Sequence, residues 1–465
     1  MQILNVRRLV KGNKTDFLQT LKEHINIPSL IPKEFTAAFY KTIGRPRGRT
    51  LESLIWFLVL KNIIGIPNDS AFLTVLMLSH EIREFCGFET VPEAWEISNF
   101  RKDFADYLVL MFDNLVDETE PICRELDSKK SDYLLYDTTG VKANVNENNP
   151  KFIATKLNAA KKAATKNPEL NPYALVYSAL PDTAKANPNV KHQYINGHFC
   201  YAHKAGILTN GIGIVRHIAF FDDAFRAQHP EIVEQKTDNP TFDKEISDSA
   251  SLKPVLSDFY EKHPHFKYYK TFIGDSSFDS YGTYSMLRND FHFDRICIPI
   301  NPRNSSSAHT DFDINGTPLC PKDKTPFVFN GVCHGKNRSV RFKYICHKSI
   351  RPKGAKNPIC TCSNPCTVNS YKSVYTYPHK NLRLYPGIPR ATQHWDNLYR
   401  HRTLIERTIN IFKDDFGVAH RRSFSTTTAK ADFFLAGITQ LIGVIFASAI
   451  NQLKFFKSVR RLLSA

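Results

Sequence analysis

Acidic residues are scarce in this chain relative to basic ones. Its 465 residues contain 45 Asp and Glu against 62 Lys and Arg, which leaves a formal net charge of +17 at pH 7. This imbalance favours a polyanionic partner, because phosphate charges supply most of the non-specific affinity of proteins for DNA. Charge alone does not separate DNA from RNA or from an acidic membrane surface.

Features of an exported protein are also missing. Residues 1–11 contain neither a long apolar core nor a small-residue cleavage site. No secretory signal is therefore predicted, and we expect a cytoplasmic protein. One apolar run, residues 433–450, has the length of a membrane span. Thr439, Gln440 and Ser448 interrupt that run, so we expect a buried core helix and no membrane contact.

Clean pairs of C-x-x-C metal-binding knuckles are absent as well. Six of the ten cysteines nevertheless fall in one window, namely Cys320, Cys333, Cys346, Cys360, Cys362 and Cys366. In a reducing cytoplasm such a cluster favours thiolate coordination of Zn²⁺ over disulfides. Because the spacing is irregular, a structural zinc site and free thiols remain two open alternatives.

A spaced set of polar residues is present near the C-terminal end. Tyr399, Arg402, Glu406 and Lys413 stand at offsets 0, 3, 7 and 14. On an ideal α-helix with about 100° per residue, these offsets map to about 0°, −60°, −20° and −40°, which is one stripe. Such a stripe would hold a carboxylate among three groups able to bind phosphate oxygens. The alternative is a set of ordinary surface charges paired along a helix.

This Tyr-(2)-Arg-(3)-Glu-(6)-Lys spacing resembles the signature of bacterial insertion-sequence transposases of the DDE class. The resemblance implies an RNase H-like catalytic domain with two aspartates upstream of the glutamate. Asp137 fits the first, because the apolar run before it predicts a strand that ends there, followed by a Thr-Thr-Gly turn. Asp275 fits the second, at the end of another predicted strand and before a helix start at Ser276 and Ser277.

The resemblance also implies roles for these residues. Asp137, Asp275 and Glu406 would bind two Mg²⁺ or Mn²⁺ ions, since hard divalent cations prefer carboxylate and water oxygens. Two such ions stabilise the attacking and leaving oxygens of an in-line phosphoryl displacement. Tyr399, Arg402 and Lys413 would position the phosphates of the cleaved DNA end. A further carboxylate at Asp279 is expected to support the site rather than to ligate metal.

The implied function is cut-and-paste DNA transposition. The protein would bind terminal inverted repeats in double-stranded DNA, cleave there, and join the 3′-hydroxyl to target DNA. The family usually synapses two transposon ends with two chains, so a homodimer at the bacterial nucleoid is expected. Two other classes stay open: a metal-dependent nuclease without strand transfer, and a repurposed DNA-binding protein. Whether excision passes through a DNA hairpin is also open.

The predicted fold is α/β, an RNase H-like mixed sheet flanked by helices, with an N-terminal all-helical domain and a Cys-rich insertion. A length of 465 residues suggests roughly two to four domains. The predicted segments are a helical DNA-binding domain at 1–125, the first part of the catalytic core at 126–304, the Cys-rich insertion at 305–385, and the second part of the core at 386–465. Within the core, a hairpin turn is expected at 209–213.

Several basic segments are further candidates for DNA contact. The Gly/Pro-containing run 44–49 either enters a narrow minor groove or touches phosphates only. Residues 146–192, rich in Asn, Pro, Ala and Lys, are expected to form a mobile insertion. The basic residues after Lys413 would bind DNA, bind a second protomer, or form a solvated face; they are Arg421, Arg422, Lys454, Lys457, Arg460 and Arg461. His198 and His203 are expected to be strand histidines rather than metal ligands.

Overall fold

The computed structural model describes most of the chain in two compact units. The described residues are 14–41, 47–167, 169–195, 198–235, 245–266, 269–304, 311–336, 338–420 and 425–457. The first unit comprises Met1–Ser131, Asp137–Pro264 and Ile405–Ala465. The second unit comprises Asp132–Tyr136 and His265–Leu404.

Helices dominate the N-terminal part of the first unit. They are α1 (Lys14–His24), α2 (Ile27–Leu30), α3 (Lys33–Phe39), α4 (Leu51–Ile64), α5 (Asp69–Leu78), α6 (His80–Phe85), α7 (Ala94–Asp103) and α8 (Ala105–Leu126). Helix α4 shows why they form: Thr50 caps its N-terminus by accepting a hydrogen bond from the Ser53 amide. Gly65, with φ 78°, ends it in the left-handed conformation that glycine adopts readily.

The rest of the first unit contains further helices and an antiparallel sheet. The helices are α9 (Pro150–Lys166), α10 (Pro172–Ser178), α11 (Asp223–Gln228) and α12 (Asp248–Lys262). The strands are the C-terminal part of β1 (Tyr133–Lys142), β2 (Thr183–Ala184), β3 (Asn187–Ile195), β4 (His198–Asn210) and β5 (Val215–Phe220), in the order β2-β3-β4-β1, with β5 also pairing with β4. Strand β4 pairs antiparallel with β3 and with β5. The predicted hairpin turn lies between β4 and β5, where Gly213 has φ 86°.

The second unit holds the parallel part of the sheet. It contains Tyr133–Tyr136 of β1, together with β6 (Thr271–Ile273) and β7 (Arg295–Cys297). Leu134 is in register with Phe272, and Phe272 with Ile296, both in parallel pairs. All these strands are short and largely buried, as parallel strands usually are. Helix α13 (Tyr281–Asn289) follows β6, and α14 (Gln393–Tyr399) lies near the end of the unit.

The Cys-rich insertion lies in the second unit and is mainly β-structure. Its strands are β8 (Val328–Gly335), β9 (Arg338–Ile345), β10 (Ser349–Ile350), β11 (Ile359–Cys360) and β12 (Ser373–Thr376). Strands β12, β9 and β8 form one antiparallel sheet, and β10 and β11 form a small pair. A small buried cluster supports them, consisting of Cys320, Phe327, Phe342, Tyr344, Cys346 and Tyr385.

Two helices complete the first unit, α15 (Thr403–Asn410), most of which belongs to it, and α16 (Thr426–Ala449). Helix α16 is apolar enough to cross a membrane, with mean hydropathy 1.7, but 89% of that window is buried inside the structure. It packs on α8, α4, α7 and β5. Burial against these neighbours accounts for its composition, as expected for a core helix.

The mixed α/β fold is confirmed, but the compact units cut across the predicted segments. Polar contacts explain why the N-terminal helices do not form a separate body. The Arg101 guanidinium donates to Asp432 on α16 at 2.8 Å, and the Asn62 amide donates to the Thr439 hydroxyl at 3.0 Å. Both pairs are buried, and they join the N-terminal helices to the C-terminal helix. The predicted segment bounds stay a prediction; they are 1–125, 126–304, 305–385 and 386–465.

One local expectation was wrong, and one segment is more regular than its composition suggested. Residues 146–192 were expected to form a mobile insertion, and α9 and α10 occupy much of that segment, each beginning with Asn before Pro. Asparagine caps and proline at the first helical turn favour helix starts, and the alanines and lysines favour continuation. Strand β1 does not end at Asp137, because it continues to Lys142. The β-branched Thr138 and Thr139 suit a strand better than a turn.

Candidate functional site

Asp137 lies within β1, in the part that belongs to the first unit. Its carboxylate accepts a hydrogen bond from the Thr138 amide at 2.8 Å. The Thr138 hydroxyl in turn donates to Asp248 at 2.5 Å, and the largely buried Lys204 binds Asp248 at 2.8 Å. Hydrogen bonds and an ion pair therefore fix the backbone around Asp137. The Asp137 side chain itself is half-buried.

Lys413 interacts electrostatically with Asp137 in the first unit. It lies in a π-helical turn, Ile411–Asp415, closed by the hydrogen bond from the Phe416 amide to the Ile411 carbonyl at 2.9 Å. Burial lowers the pKa of Lys413, while the charges of Asp414 and Asp137 oppose that shift. Single π-turns inserted in helices are frequently found at functional sites.

Gly417 ends this turn and allows a close approach of the chain. It has φ 72°, in the left-handed region that L-residues with side chains rarely adopt. A Cβ atom at this position would lie 2.4 Å from the Cβ atom of Pro67. The backbone therefore turns away after Lys413 only because residue 417 has no side chain.

Glu406 lies on α15 in the first unit and is half-buried. The opposite side of that helix is fixed to the unit, since Ile405, Thr408 and Ile409 are buried. The Thr408 hydroxyl donates to the Gly213 carbonyl, in the turn between β4 and β5, at 2.8 Å. This bond anchors α15 to the predicted hairpin and leaves Glu406 partly accessible.

Asp275 lies in the second unit, two residues after β6, where the sequence predicted it. It caps a short 3₁₀ turn, Ser276–Phe278, and accepts hydrogen bonds from the Ser277 amide at 2.6 Å and the Ser277 hydroxyl at 2.5 Å. The Arg402 guanidinium lies 3.6 Å from the other carboxylate oxygen of Asp275. A predicted metal ligand and a predicted phosphate-binding residue are thus an ion pair in this unit.

Asp279 is fully buried, and its expected support of the site stays a prediction. The Arg383 guanidinium binds it with two hydrogen bonds of 3.1 and 2.7 Å, and the Tyr284 hydroxyl donates to it at 3.0 Å. Arg390, also buried, donates to the Tyr284 oxygen at 2.7 Å. This network braces the chain just beyond Asp275. Arg383 and Arg390 were not predicted, because nothing in their local sequence pattern marks a partner for a buried carboxylate.

The segment carrying Tyr399, Arg402, Glu406 and Lys413 is not one uniform α-helix. Helix α14 ends at Tyr399, a 3₁₀ turn covers Arg400–Arg402, α15 follows, and the π-turn comes last. These turns wind by different angles per residue, so a constant 100° rotation does not describe the segment. The assumption of one continuous α-helix is therefore wrong, and the common stripe of the four side chains stays a prediction. Tyr399 stacks on Trp395, with ring centroids 4.8 Å apart.

The side chains of His, Cys, Asp and Glu are the usual protein ligands of metal ions. Within the residues that the structure describes, no three of them are arranged to hold a metal ion. The six cysteines of the insertion are all free thiols or thiolates. His203 is buried, and burial lowers its pKa to about 4, which keeps it neutral, while its Nε2 atom has no hydrogen-bond partner in the described part of the chain. The His198 side chain lies outside the described residues.

The basic run 44–49 is described only from Arg47 onwards. The Arg47 guanidinium donates to the Phe39 carbonyl at 3.0 Å and stacks over the Phe39 ring. Arg49 donates to the Thr90 carbonyl at 2.7 Å. Both guanidinium groups bind the protein itself, so they brace the helical region. Lys454 and Lys457 lie beside aromatic rings, whereas the other four basic tail residues, Arg421, Arg422, Arg460 and Arg461, lie outside the described residues.

Comparisons with known proteins give likenesses to transposases. Residues 5–103 match a family described as "Transposase domain (DUF772)". A piggyBac transposase, solved by cryo-EM as a synaptic complex with hairpin DNA, is similar over 96% of this chain and 80% of its own, at 10% sequence identity and a TM-score of 0.39. A likeness at that TM-score supports no conclusion about fold or function. No curated protein sequence matches the chain.

Proposed function

We propose that the chain is a DNA transposase that binds double-stranded DNA at the terminal inverted repeats of an insertion sequence. It would cleave there in a metal-dependent reaction and transfer the 3′ end to target DNA, acting as a homodimer in the bacterial cytoplasm. The observation that carries this proposal is the match of residues 5–103 to a transposase domain. The Tyr-Arg-Glu-Lys spacing and the two upstream aspartates support it.

In the first unit, Asp137 and Lys413 would act on the same phosphate. The carboxylate and the ammonium group interact electrostatically, and both side chains are half-buried. Partial burial strengthens such charge interactions relative to water. An incoming phosphate oxygen would compete with Asp137 for the Lys413 ammonium group. The interaction between Lys413 and Asp137 would then weaken, which leaves the Asp137 carboxylate oxygens available for a cation.

In the second unit, Arg402 would move its guanidinium fork from Asp275 to a phosphate. The present separation of 3.6 Å between Arg402 Nη2 and Asp275 Oδ2 is loose for a charge-assisted hydrogen bond. A loose pair leaves Arg402 able to bind a second anion. Ser277 meanwhile holds the other oxygen of Asp275 in place through two hydrogen bonds.

The donor chemistry fits Mg²⁺ or Mn²⁺. Asp137, Asp275 and Glu406 are carboxylates, none is fully buried, and neither sulfur nor imidazole belongs to the set. When bound, a divalent pair would lower the pKa of a water molecule and stabilise charge on the attacking and leaving oxygens. The residues of the chain would orient the phosphate, and Tyr399 would add a hydroxyl to that contact.

The test is cleavage of a labelled duplex taken from the DNA that flanks the coding sequence, with Mg²⁺ or Mn²⁺. Wild type is compared with Glu406→Gln and with Glu261→Gln, which makes the same charge change at an exposed position of the same unit. We expect metal-dependent nicking at a repeat boundary by wild type and by Glu261→Gln, and none by Glu406→Gln. A second duplex with a pre-cut 3′-hydroxyl end tests for joined products.

Each other outcome selects an alternative. Cleavage without joined products favours the nuclease. Specific binding without cleavage in all three proteins favours a repurposed DNA-binding protein. Equal cleavage by wild type and Glu406→Gln removes Glu406 from the proposed metal ligands.

A further inference from the structure

Part of the Cys-rich insertion has almost no hydrophobic core. Across residues 347–372, Pro358 is the one buried side chain. The side chains of Ile350, Ile359 and Val368 are at least half-exposed, with relative exposures of 59%, 50% and 104%. Yet this segment forms the antiparallel pair β10 and β11. Small structures with too little core usually need a disulfide or a metal to hold them together.

Side-chain contacts join two cysteine-bearing loops of the insertion. Lys322, two residues after Cys320, binds the Asn364 side chain and donates to the Pro365 carbonyl at 3.1 Å, next to Cys366. This contact joins the loop that begins at Cys320 to the loop that ends at Cys366. Polar contacts of this kind place the two thiols on facing loops.

The loop that begins at Cys346 is joined to both of the others. Lys348 forms an ion pair of 2.8 Å with Asp323, in the Cys320 loop. The Thr361 amide and hydroxyl both donate to the Lys348 carbonyl, at 3.0 and 2.7 Å. Three loops thus meet at their cysteine-bearing ends. Cys320 and Cys366, the outermost of these cysteines, are 46 positions apart in sequence.

Tight turns shape these loops in the manner of metal knuckles. The Lys324 amide donates to the Cys320 carbonyl at 3.0 Å, and the Ser349 amide donates to the Cys346 carbonyl at 3.0 Å. Cys360 lies opposite Ser349 in the β10–β11 pair. Two of the three loops therefore turn directly after their cysteine, and Cys360 reaches one of these turns through strand pairing.

Four thiols are neighbours at this centre. The Cys346 thiol interacts electrostatically with the thiols of Cys320, Cys360 and Cys366, and the Cys366 and Cys320 thiols hydrogen-bond with each other. Thiolates crowded without a cation repel one another, whereas four of them match the tetrahedral coordination of Zn²⁺.

We infer that Cys320, Cys346, Cys360 and Cys366 bind one structural Zn²⁺ ion that holds together the three loops of the insertion. Binding would release the thiol protons to solvent and leave four thiolate ligands. The other two cysteines of the window do not belong to the proposed set. Cys333 lies on β8 opposite Arg341, and the Cys362 thiol donates to the Asn364 carbonyl at 3.4 Å.

The thiols have to rotate for the ion to bind. Among the described residues no three potential ligands already converge on one point. Cys320 and Cys346 are buried in the core cluster and are held in place, while Cys360 and Cys366 are only half-buried. The two half-buried side chains can therefore change rotamer and close the site with little loss of packing.

The first experiment measures metal in the full-length chain, purified under reducing conditions from zinc-supplemented medium. We expect one zinc per chain in wild type and a loss of that zinc in Cys346→Ser and Cys366→Ser. The matched controls are Cys333→Ser and Cys362→Ser, in the same insertion, which should retain it. Zinc loss in the controls equal to that in Cys346→Ser would overturn the assignment.

A second measurement does not depend on whether a variant folds. The wild-type chain, stripped of metal, is titrated with Co²⁺, whose absorption distinguishes tetrahedral thiolate coordination from free ion. We expect tetrahedral thiolate bands that saturate at one equivalent and vanish when Zn²⁺ is added. A wild-type chain with neither zinc nor these bands would overturn the inference. Neither readout uses DNA, so failure here is separate from failure of the proposed transposase activity.

Discussion

The two predicted catalytic aspartates differ in their surroundings, although each interacts with a cation from the same C-terminal signature. Asp137 lies within a strand and interacts with Lys413, whose pKa is lowered by burial. Asp275 lies after a strand, caps a turn, and pairs with Arg402. Arginine stays protonated under all ordinary conditions, whereas a lysine with a lowered pKa loses its proton at a lower pH than an exposed lysine does. The charge of the cation beside Asp137 is therefore more sensitive to pH than the charge of the cation beside Asp275.

Removing either carboxylate should have the largest effect. Asp137→Asn and Asp275→Asn should each lower DNA cleavage by on the order of 10³-fold, as expected when a group that stabilises transition-state charge is lost. Initial cleavage rates of the repeat-containing duplex measure this. Asp223→Asn and Asp294→Asn, at exposed positions of the first and second unit, are the controls. If only one of the two substitutions lowers the cleavage rate, the other aspartate acts only as the partner of Lys413 or Arg402.

Breaking the turn after Lys413 should have the next largest effect. Gly417→Ala would strain the left-handed backbone and push against Pro67, so we expect a loss of about 2 kcal/mol in the free energy of unfolding. Urea denaturation measures it. Gly282→Ala, in α13, is the control, because its Cβ would meet nothing nearer than 3.9 Å. Equal stability of the two variants would show that the approach of residue 417 to Pro67 is not restrictive.

A conservative change at Arg402 should have a moderate effect. Arg402→Lys keeps the charge but loses the planar fork that binds a phosphate with two hydrogen bonds, so affinity for the DNA end should fall about tenfold. Fluorescence anisotropy with the labelled duplex measures affinity. The exposed neighbour Arg400, changed to Lys, controls for a general loss of arginine. Similar losses in both variants would mean that this segment contributes only unspecific positive charge.

The dependence on pH should be the smallest effect, within a few-fold. The pKa of Lys413 in the folded chain lies below its ordinary value of 10.5. As pH rises through that lowered pKa the ammonium loses its proton, so DNA affinity should fall at a lower pH than for an exposed lysine. At pH values below the lowered pKa, the protonated Lys413 lowers the free energy of unfolding. This loss of stability disappears as pH rises and the lysine is deprotonated.

Affinity measured between pH 7 and pH 10 tests this difference between the units. Lys413→Arg should flatten the profile, because arginine keeps its charge, while Lys142→Arg, at an exposed lysine of β1, should leave it unchanged. An unaltered profile in Lys413→Arg would assign the pH dependence to another group.

Local patterns predicted a good part of the site. The glycine-containing turn before β5 and the position of Asp275 after β6 follow from strand runs and turn residues close by in sequence. The supporting role of Asp279 stays a prediction. Arg383, which binds Asp279, and Arg390, which binds Tyr284, were not predicted, because both lie more than 100 positions away and reach these partners only in the folded chain.

Departures arose where tertiary packing competes with local pattern. The Thr-Thr-Gly segment after Asp137 can turn or extend, and pairing within the sheet extends it. The predicted stripe of the C-terminal signature required one helix type. In the structure a π-turn contains Lys413, and Gly417, shortly after it, approaches Pro67. The arginines of the basic run looked available for DNA, yet Arg47 and Arg49 bind carbonyl groups and an aromatic ring of the helical region.

The sequence by itself determined the mixed α/β class, the order of the predicted acidic residues, and the excess of positive charge, because these depend on residue type and near-neighbour spacing. Tertiary structure decided which cation interacts with Asp137 and which with Asp275, and which cysteine-bearing loops of the insertion contact one another. Such choices depend on contacts between residues far apart in the chain. Those contacts form only when burial and hydrogen bonding of the whole unit offset the entropy of ordering it.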